Sequence, residues 1–262
     1  MKYTYFRLVL AVLLFLGGWQ IVSAETNELM VRCVAFYNLE NVFDTIHDEG
    51  KNDYEYLPDG GMKWTSLKYT NKIQNMAYAI AQLGTDEDPR GAAIVGVSEV
   101  ENIGCLHDLC KELKEKHNRN YVPILLEGPD RRGIDVGLLY NPDMFKPVGK
   151  PKGYELKAHY ADGGVVRSRL QLWVSGYMLD DSRKIVMDKI HISVNHWPSR
   201  SGGEESSRAT RDTAAMLLKQ VADSIYMKEP RAKIIVMGDL NDDPFNNSCS
   251  VILGAKKTRE EV

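Results

Sequence analysis

Apolar and polar positions along the chain change period several times, and each change marks an element. Over residues 65–83 the apolar side chains Leu67, Ile73, Met76, Ala77, Ile80 and Leu83 recur near every 3.6 residues, which predicts an amphipathic helix. The same spacing predicts a short helix over 105–116 and a long one over 204–226, whose stripe is Ala214, Leu217, Leu218, Val221 and Ile225. Between the helices, runs rich in Val, Ile and Leu read as strands at 31–37, 92–98, 121–126, 134–140, 165–174, 184–194 and 233–237. Breakers separate them: Asp53, Pro58, Asp59, Gly60 and Gly61 in one loop, and Tyr140-Asn141-Pro142-Asp143 at a turn. Some strands are continuously apolar and others alternate, and several come one after another with no helix between. That mixture predicts mixed sheets covered by helices, rather than a simple doubly wound parallel sheet.

The first 24 residues break this pattern. Lys2 and Arg7 precede the apolar run 8–16, and Val22-Ser23-Ala24 supplies small residues, which together predict a signal peptide cleaved near Ala24. The apolar run is short for a bilayer span, and Gly17, Gly18 and Gln20 weaken its continuation. The expectation is therefore a secreted or periplasmic chain with no stable membrane anchor, and one domain over residues 25–262. Cleavage would remove two basic residues and no acidic one, moving the formal charge from −3 to −5. Such a charge argues against a non-specific binder of long nucleic acids, although a bound metal ion would supply local positive charge. Of the four cysteines, Cys33 reads as a core residue. A Cys105–Cys110 bridge is compatible with export, and no spacing fits a zinc motif.

Four times an apolar strand ends in a polar cluster. The clusters are Asn38-Leu39-Glu40-Asn41, Ser98-Glu99-Val100-Glu101-Asn102, Asn195-His196-Trp197-Pro198-Ser199-Arg200 and Gly238-Asp239-Leu240-Asn241-Asp242. If the four strands are neighbours, Asn38, Glu99, His196, Asp239 and Asn241 share one patch. Carboxylate and amide oxygens suit a hard divalent cation, Asn and His can hydrogen-bond phosphate oxygens, and a carboxylate or His can orient or deprotonate water. Taken singly, each residue also reads as a helix cap, a turn or a solvated strand end.

In their order, these motifs resemble those of the endonuclease/exonuclease/phosphatase superfamily, and the resemblance covers roughly residues 30–250. It implies an α/β fold of DNase I type, a four-layer sandwich of two mixed β-sheets flanked by helices. It also implies Mg²⁺- or Mn²⁺-dependent hydrolysis of a phosphate ester by an activated water. By the same resemblance Glu99 is the principal metal-binding carboxylate, with Asn38 beside it. Asp239 would orient or deprotonate the attacking water, Asn241 would contact phosphate, and His196 would bind phosphate or assist the leaving group. Asp135 lies on a strand that resembles one passing close to the site; it would support metal, His196 or substrate, or simply end a strand. Arg167-Ser168-Arg169-Leu170 resembles the strand with a substrate-facing arginine; Arg167 fits better, and the alternative is an exposed pair on a sheet face. Ser199, Arg200, Arg208 and Arg211 either extend this basic rim or pair with surface carboxylates.

Family members carry a further strand with Asp-His, and no such motif comes after Asn241. A C-terminally incomplete chain, with the last strands of the sandwich missing and a sheet edge open, is therefore expected. The implied substrate is nucleic acid or another phosphodiester, cleaved by a monomeric, DNase I-like endonuclease. Two alternatives stand beside it: a phosphatase or sphingomyelinase-like phosphodiesterase of the same fold, and an inactive binding relative.

Overall fold

The structure is a computed structural model and describes residues 30–160, 162–185, 189–256 and 258. Its strands and helices all belong to one compact unit, Val31–Val262. The expected signal peptide, Met1 to Ala24, lies outside the described residues. Among those described, no helix is long and apolar enough to cross a membrane.

Among the described residues nine strands form two sheets. The first contains β1 (Val34–Val42), β2 (Ile94–Val100), β3 (Val122–Leu125) and β4 (Asp135–Tyr140), in the order β1-β2-β4-β3. β1 and β2 run parallel, whereas β4 is antiparallel to both β2 and β3. The second contains β5 (Phe145–Pro147), β6 (Lys152–Tyr154), β7 (Gln171–Met178), β8 (Ile190–His196) and β9 (Lys233–Asp239). Its order is β5-β7-β8-β9, with β6 also on β7, and β8 and β9 are parallel. Both sheets are thus mixed, as the alternation of patterns predicts.

The sheets bury their inner faces against each other. Ile94, Val136 and Leu138 of the first meet Leu172, Val174, Ile192 and Val194 of the second. Each such aliphatic side chain contributes roughly 1.5–3 kcal/mol by leaving water. On the outer face of the first sheet lie α1 (Ser66–Ala81) and α2 (Ile103–His117), packed through Ile73, Ala77, Ile80, Leu106, Leu109 and Leu113. Thr65 caps α1 by accepting from Lys68 N, and Asn102 caps α2 by accepting from Cys105 N. The second sheet is covered by α3 (Glu204–Tyr226), which seats Ala214, Ala215, Leu218 and Val221 against Trp173 and Trp197. Gln171 Nε2 donates to Ala214 O and ties β7 to that helix. The four layers are helix, sheet, sheet, helix.

Details differ from expectation, and the strand expected at 184–194 is β8, Ile190–His196. Residues 165–170 are not a strand; β7 begins at Gln171, and upstream only a bridge between His159 and Val165 forms. The segment instead runs along a cavity, which explains why its alternation resembles a strand without pairing. β5 and β6 are three residues each, too short to leave a period in the sequence. Cys105 and Cys110 are free and buried on α2, so no bridge joins them.

Gly238 sits where β9 passes β8. Its φ is +148°, and a Cβ there would lie 2.1 Å from Asn195 O. Gly238→Ala is expected to cost about 1–3 kcal/mol or more, because backbone must move to make room. Thermal unfolding would show it as a lower midpoint, and an unchanged midpoint would contradict this close approach.

Candidate active site

The parallel pairs bring the polar strand ends to one rim. In β1–β2, Asn38 is opposite Ser98, and in β8–β9, His196 is opposite Asp239. Both strands of the first pair are then bent by register shifts, between Asn38 and Val42 in β1 and between Ser98 and Val100 in β2. Glu99 occupies the second shift with φ 60°, and Glu40 and Asn41 occupy the first with φ 54° and 64°. Bulges of this kind re-aim side chains at sheet edges, and left-handed backbone in non-glycine residues concentrates at functional sites. Asn241, just beyond β9, is also left-handed, with φ 52°.

Glu99, His196 and Asp239 meet as a result, with ligand atoms all within 4.8 Å of one another. His196 Nε2 lies 3.8 Å from Glu99 Oε1 and 3.9 Å from Asp239 Oδ2. Asn38 Nδ2 bridges the two carboxylates, donating to Glu99 Oε1 and Asp239 Oδ2 at 3.2 Å each. Its Oδ1, the oxygen expected beside Glu99, accepts from Glu40 N at 2.8 Å. Asp239 Oδ1 accepts from Asn241 N, which leaves Oδ2 facing the site. Among the described residues no lysine or arginine pairs with Glu99 or Asp239.

Two carboxylates this close, with no basic side chain of the described residues in ion-pair contact, form an oxygen-rich corner that suits a hard divalent cation. Asn38 and His196 flank it with nitrogen. The donor set therefore fits a hard divalent cation, which Glu99 and Asp239 could hold. His196 is buried, and Arg169 and Arg132 stand near it. Burial first, and these two charges second, push its pKa down to about 2, so the ring is neutral. Its Nδ1 has no partner among the described residues.

A cavity of about 440 Å³ opens beside this corner. Asp239, Asn241, Glu99 and His196 form one wall, and Arg131, Arg132, Arg167 and Arg169 contribute to the others. Arg167 is exposed at the rim, whereas Arg169 is buried, with its guanidinium donating to Asp130 Oδ2 and Trp197 O. Asn241 Nδ2 also donates to Trp197 O. The predicted Asn38, Glu99, Arg167, His196, Asp239 and Asn241 are thus brought to one place.

Asp135 is not. It is 1% exposed at the start of β4, and both its oxygens accept from Gly128 N at 3.0 and 3.1 Å. Burial pushes its carboxyl up to about 7. Its observed contact is with the turn between β3 and β4 rather than with the cavity. Arg208 pairs with Glu205 on the surface, whereas Arg211 is fully buried and bonded to Asp242. The pairing of Asp130 with Arg169 leaves no signal in the sequence, since the two are 39 residues apart. A second acidic group, Asp44 with Glu101 and Cys105, is bonded internally: Glu101 Oε2 accepts from Asp44 N and from Asn102 Nδ2.

The sequence model of the Endonuclease/Exonuclease/phosphatase family matches residues 33–262. No curated protein matches the sequence. Among solved structures, the chain resembles the mannosyl-6-phosphatase of Bacteroides thetaiotaomicron VPI-5482, at 16% identity and TM-score 0.52 over 84% of this chain and 69% of that one. It resembles an endonuclease/exonuclease/phosphatase family protein from the same species at 16% identity and TM-score 0.50, over 84% and 67%. The human Nocturnin catalytic domain aligns at 17% identity and TM-score 0.45, over 68% of this chain and 60% of that one. At such identities the first two likenesses, at TM-scores 0.52 and 0.50, speak for the fold alone, two mixed sheets flanked by helices. With the family match over nearly the whole described chain, that fold and this ordered set of strand-end motifs make the chain a member of the endonuclease/exonuclease/phosphatase family.

Proposed function

We propose that this chain hydrolyses phosphate esters with water, in a reaction that requires Mg²⁺ or Mn²⁺ at the Glu99–Asp239 corner. The observation that carries the reading is the convergence of Glu99, Asp239 and His196 from strands of two different sheets. A divalent cation bound there would lower the pKa of a water and offset charge on the phosphate. Asp239 Oδ2, aimed by the Asn241 N–H on its other oxygen, is placed to accept a proton from a water or orient it. Asn241 uses one amide proton on Trp197 O and keeps the other for a phosphate oxygen. Neutral His196 can donate through Nε2 to a phosphate oxygen or to the leaving group. Arg167, exposed at the rim, can clamp the phosphate.

The first substrate class to try is a phosphodiester, as in a DNase I-like endonuclease. A second reading, a small phosphorylated molecule, is favoured by the concave shape of the cavity and by the acidic charge of the whole chain. The N-terminal pattern adds export to the proposal, making this a secreted or periplasmic enzyme.

Turnover of bis(p-nitrophenyl) phosphate and p-nitrophenyl phosphate by the purified chain, in Mg²⁺, Mn²⁺ and EDTA, tests the reaction. Hydrolysis of at least one ester with a cation, and none in EDTA, is expected. Equal rates in EDTA and in cation would sink the metal-dependent reading. A cation that binds the folded state should also raise the unfolding midpoint, by about 2.7 kcal/mol of stability at a concentration of 100 times its Kd.

A further inference from the structure

We propose that Arg131 and Arg132 form a second anion subsite, so that the preferred ligand of this cavity carries a second phosphate beside the one that meets the Glu99–Asp239 corner. The identity of the first phosphate rests on the proposed function, whereas the subsite rests on the turn that carries the two arginines.

That turn joins β3 to β4 and is held at many points. Gly128 N donates to both oxygens of Asp135, and Lys51 Nζ donates to Gly128 O and Asp130 O. Asp130 Oδ1 accepts from Arg132 N, and Asp130 Oδ2 from Arg169. Asn52 N donates to Arg131 O at 2.7 Å, and Gly133 N donates to Asp130 O. Every one of these bonds uses backbone, or side chains other than those of Arg131 and Arg132. The turn is therefore rigid before any ligand arrives, which lowers the entropic cost of binding.

The side chains it presents have little structural work. Arg131 is exposed and makes no ion pair among the described residues, and Arg132 has only a 3.7 Å approach to Asp130 with 47% of its side chain exposed. Both line the cavity that contains Glu99, His196 and Asp239. Asp130, the carboxylate that Arg132 approaches, already serves Arg169 through a closer contact of 3.1 Å. Two guanidinium groups on a fixed turn, facing a site and lacking a close partner of their own, suit a second phosphate, which arginine binds through paired N–H donors. That phosphate could belong to a small bisphosphate or to a neighbouring position in a short nucleic acid. The shared chemistry is two phosphates spaced by the width of one cavity.

Calorimetric binding to the full chain in Ca²⁺, an oxygen-binding cation that can neutralise the Glu99–Asp239 corner, tests the subsite without calling on catalysis, with product assays on the same samples to verify that the probes stay intact. The probes are glucose 6-phosphate, glucose 1,6-bisphosphate and the 5′-phosphorylated dinucleotide pdTpdT. At least one two-phosphate probe should bind ten times more tightly than glucose 6-phosphate, and which one does so identifies the source. In Arg131→Gln/Arg132→Gln that preference should shrink to within twofold, and in Arg131→Lys/Arg132→Lys it should partly return, which separates charge from folding. Absence of any preference in the native chain, or a preference that survives the double Gln variant, would overturn the proposal. Equal weakening of all probes would also overturn it, because the arginines would then serve the first phosphate. A retained preference in a chain that hydrolyses nothing would leave the subsite standing and count only against the hydrolase reading.

Discussion

Asp239→Asn should lower kcat/KM for a phosphate ester by about 10²–10⁴-fold, the range that general-base and orienting carboxylates contribute. The substitution preserves size, so the effect falls on charge and hydrogen bonding. The oxygen of the new amide can still accept from Asn241 N, but its nitrogen would then face Asn38 Nδ2, a donor against a donor. The corner would lose both the proton acceptor and the second carboxylate that suits a cation. Steady-state kinetics with Mg²⁺ and Mn²⁺ checks this, alongside circular dichroism to confirm folding. Turnover within threefold of the native chain would remove Asp239 from the mechanism.

The largest stability effect is expected at Arg211. This side chain is fully buried, and its guanidinium donates to Asp242 Oδ1 at 2.6 Å, Ser207 Oγ at 2.7 Å and Glu204 O at 3.0 Å. Asp242 Oδ2 accepts from Ser248 Oγ at 2.6 Å. Arg211→Ala would leave the buried Asp242 carboxylate with only the longer 3.5 Å contact to the part-exposed Arg200, and loss of the main partner of a buried pair costs about 3–5 kcal/mol. Urea unfolding should show the loss as a lower midpoint at an unchanged slope. A change below about 1 kcal/mol, the scale of a surface ion pair, would mean that the pair is not desolvated in solution. Because Asp242 comes directly after Asn241, the pair also anchors the turn that carries the Asp239 and Asn241 side chains. Arg200 adds to that anchor, donating through Nε to Asn241 O.

Much of the architecture is legible in the amino-acid sequence. The helix expected at 204–226 is Glu204–Tyr226, and that at 65–83 is Ser66–Ala81, because a long apolar stripe at 3.6-residue spacing has few other ways to be buried. The residue types at the four strand ends are equally plain, since Asn38, Glu99, His196 and Asp239 each interrupt or end a buried run. Short elements are not legible: β5 and β6 span three residues each and borrow their order from β7. Residues 165–170 alternate as a strand does, yet they line a cavity instead, and only the neighbours decide between those outcomes.

The amino-acid sequence by itself determined the elements, the apolar faces and the set of polar groups available at the strand ends, because period and side-chain chemistry are local. Tertiary structure alone decided which of those groups meet. Asn38 came to bridge Glu99 and Asp239 through two parallel strand pairings and two bulges, whose register no local pattern specifies. Arg211 went inward to Asp242 while Arg208, three residues earlier on the same helix, stayed outside with Glu205. Asp135, close in sequence to the cavity arginines, turned under the loop to hold Gly128. In each case the deciding energy is the desolvation of a charged or polar group, and that depends on what the rest of the fold packs around it.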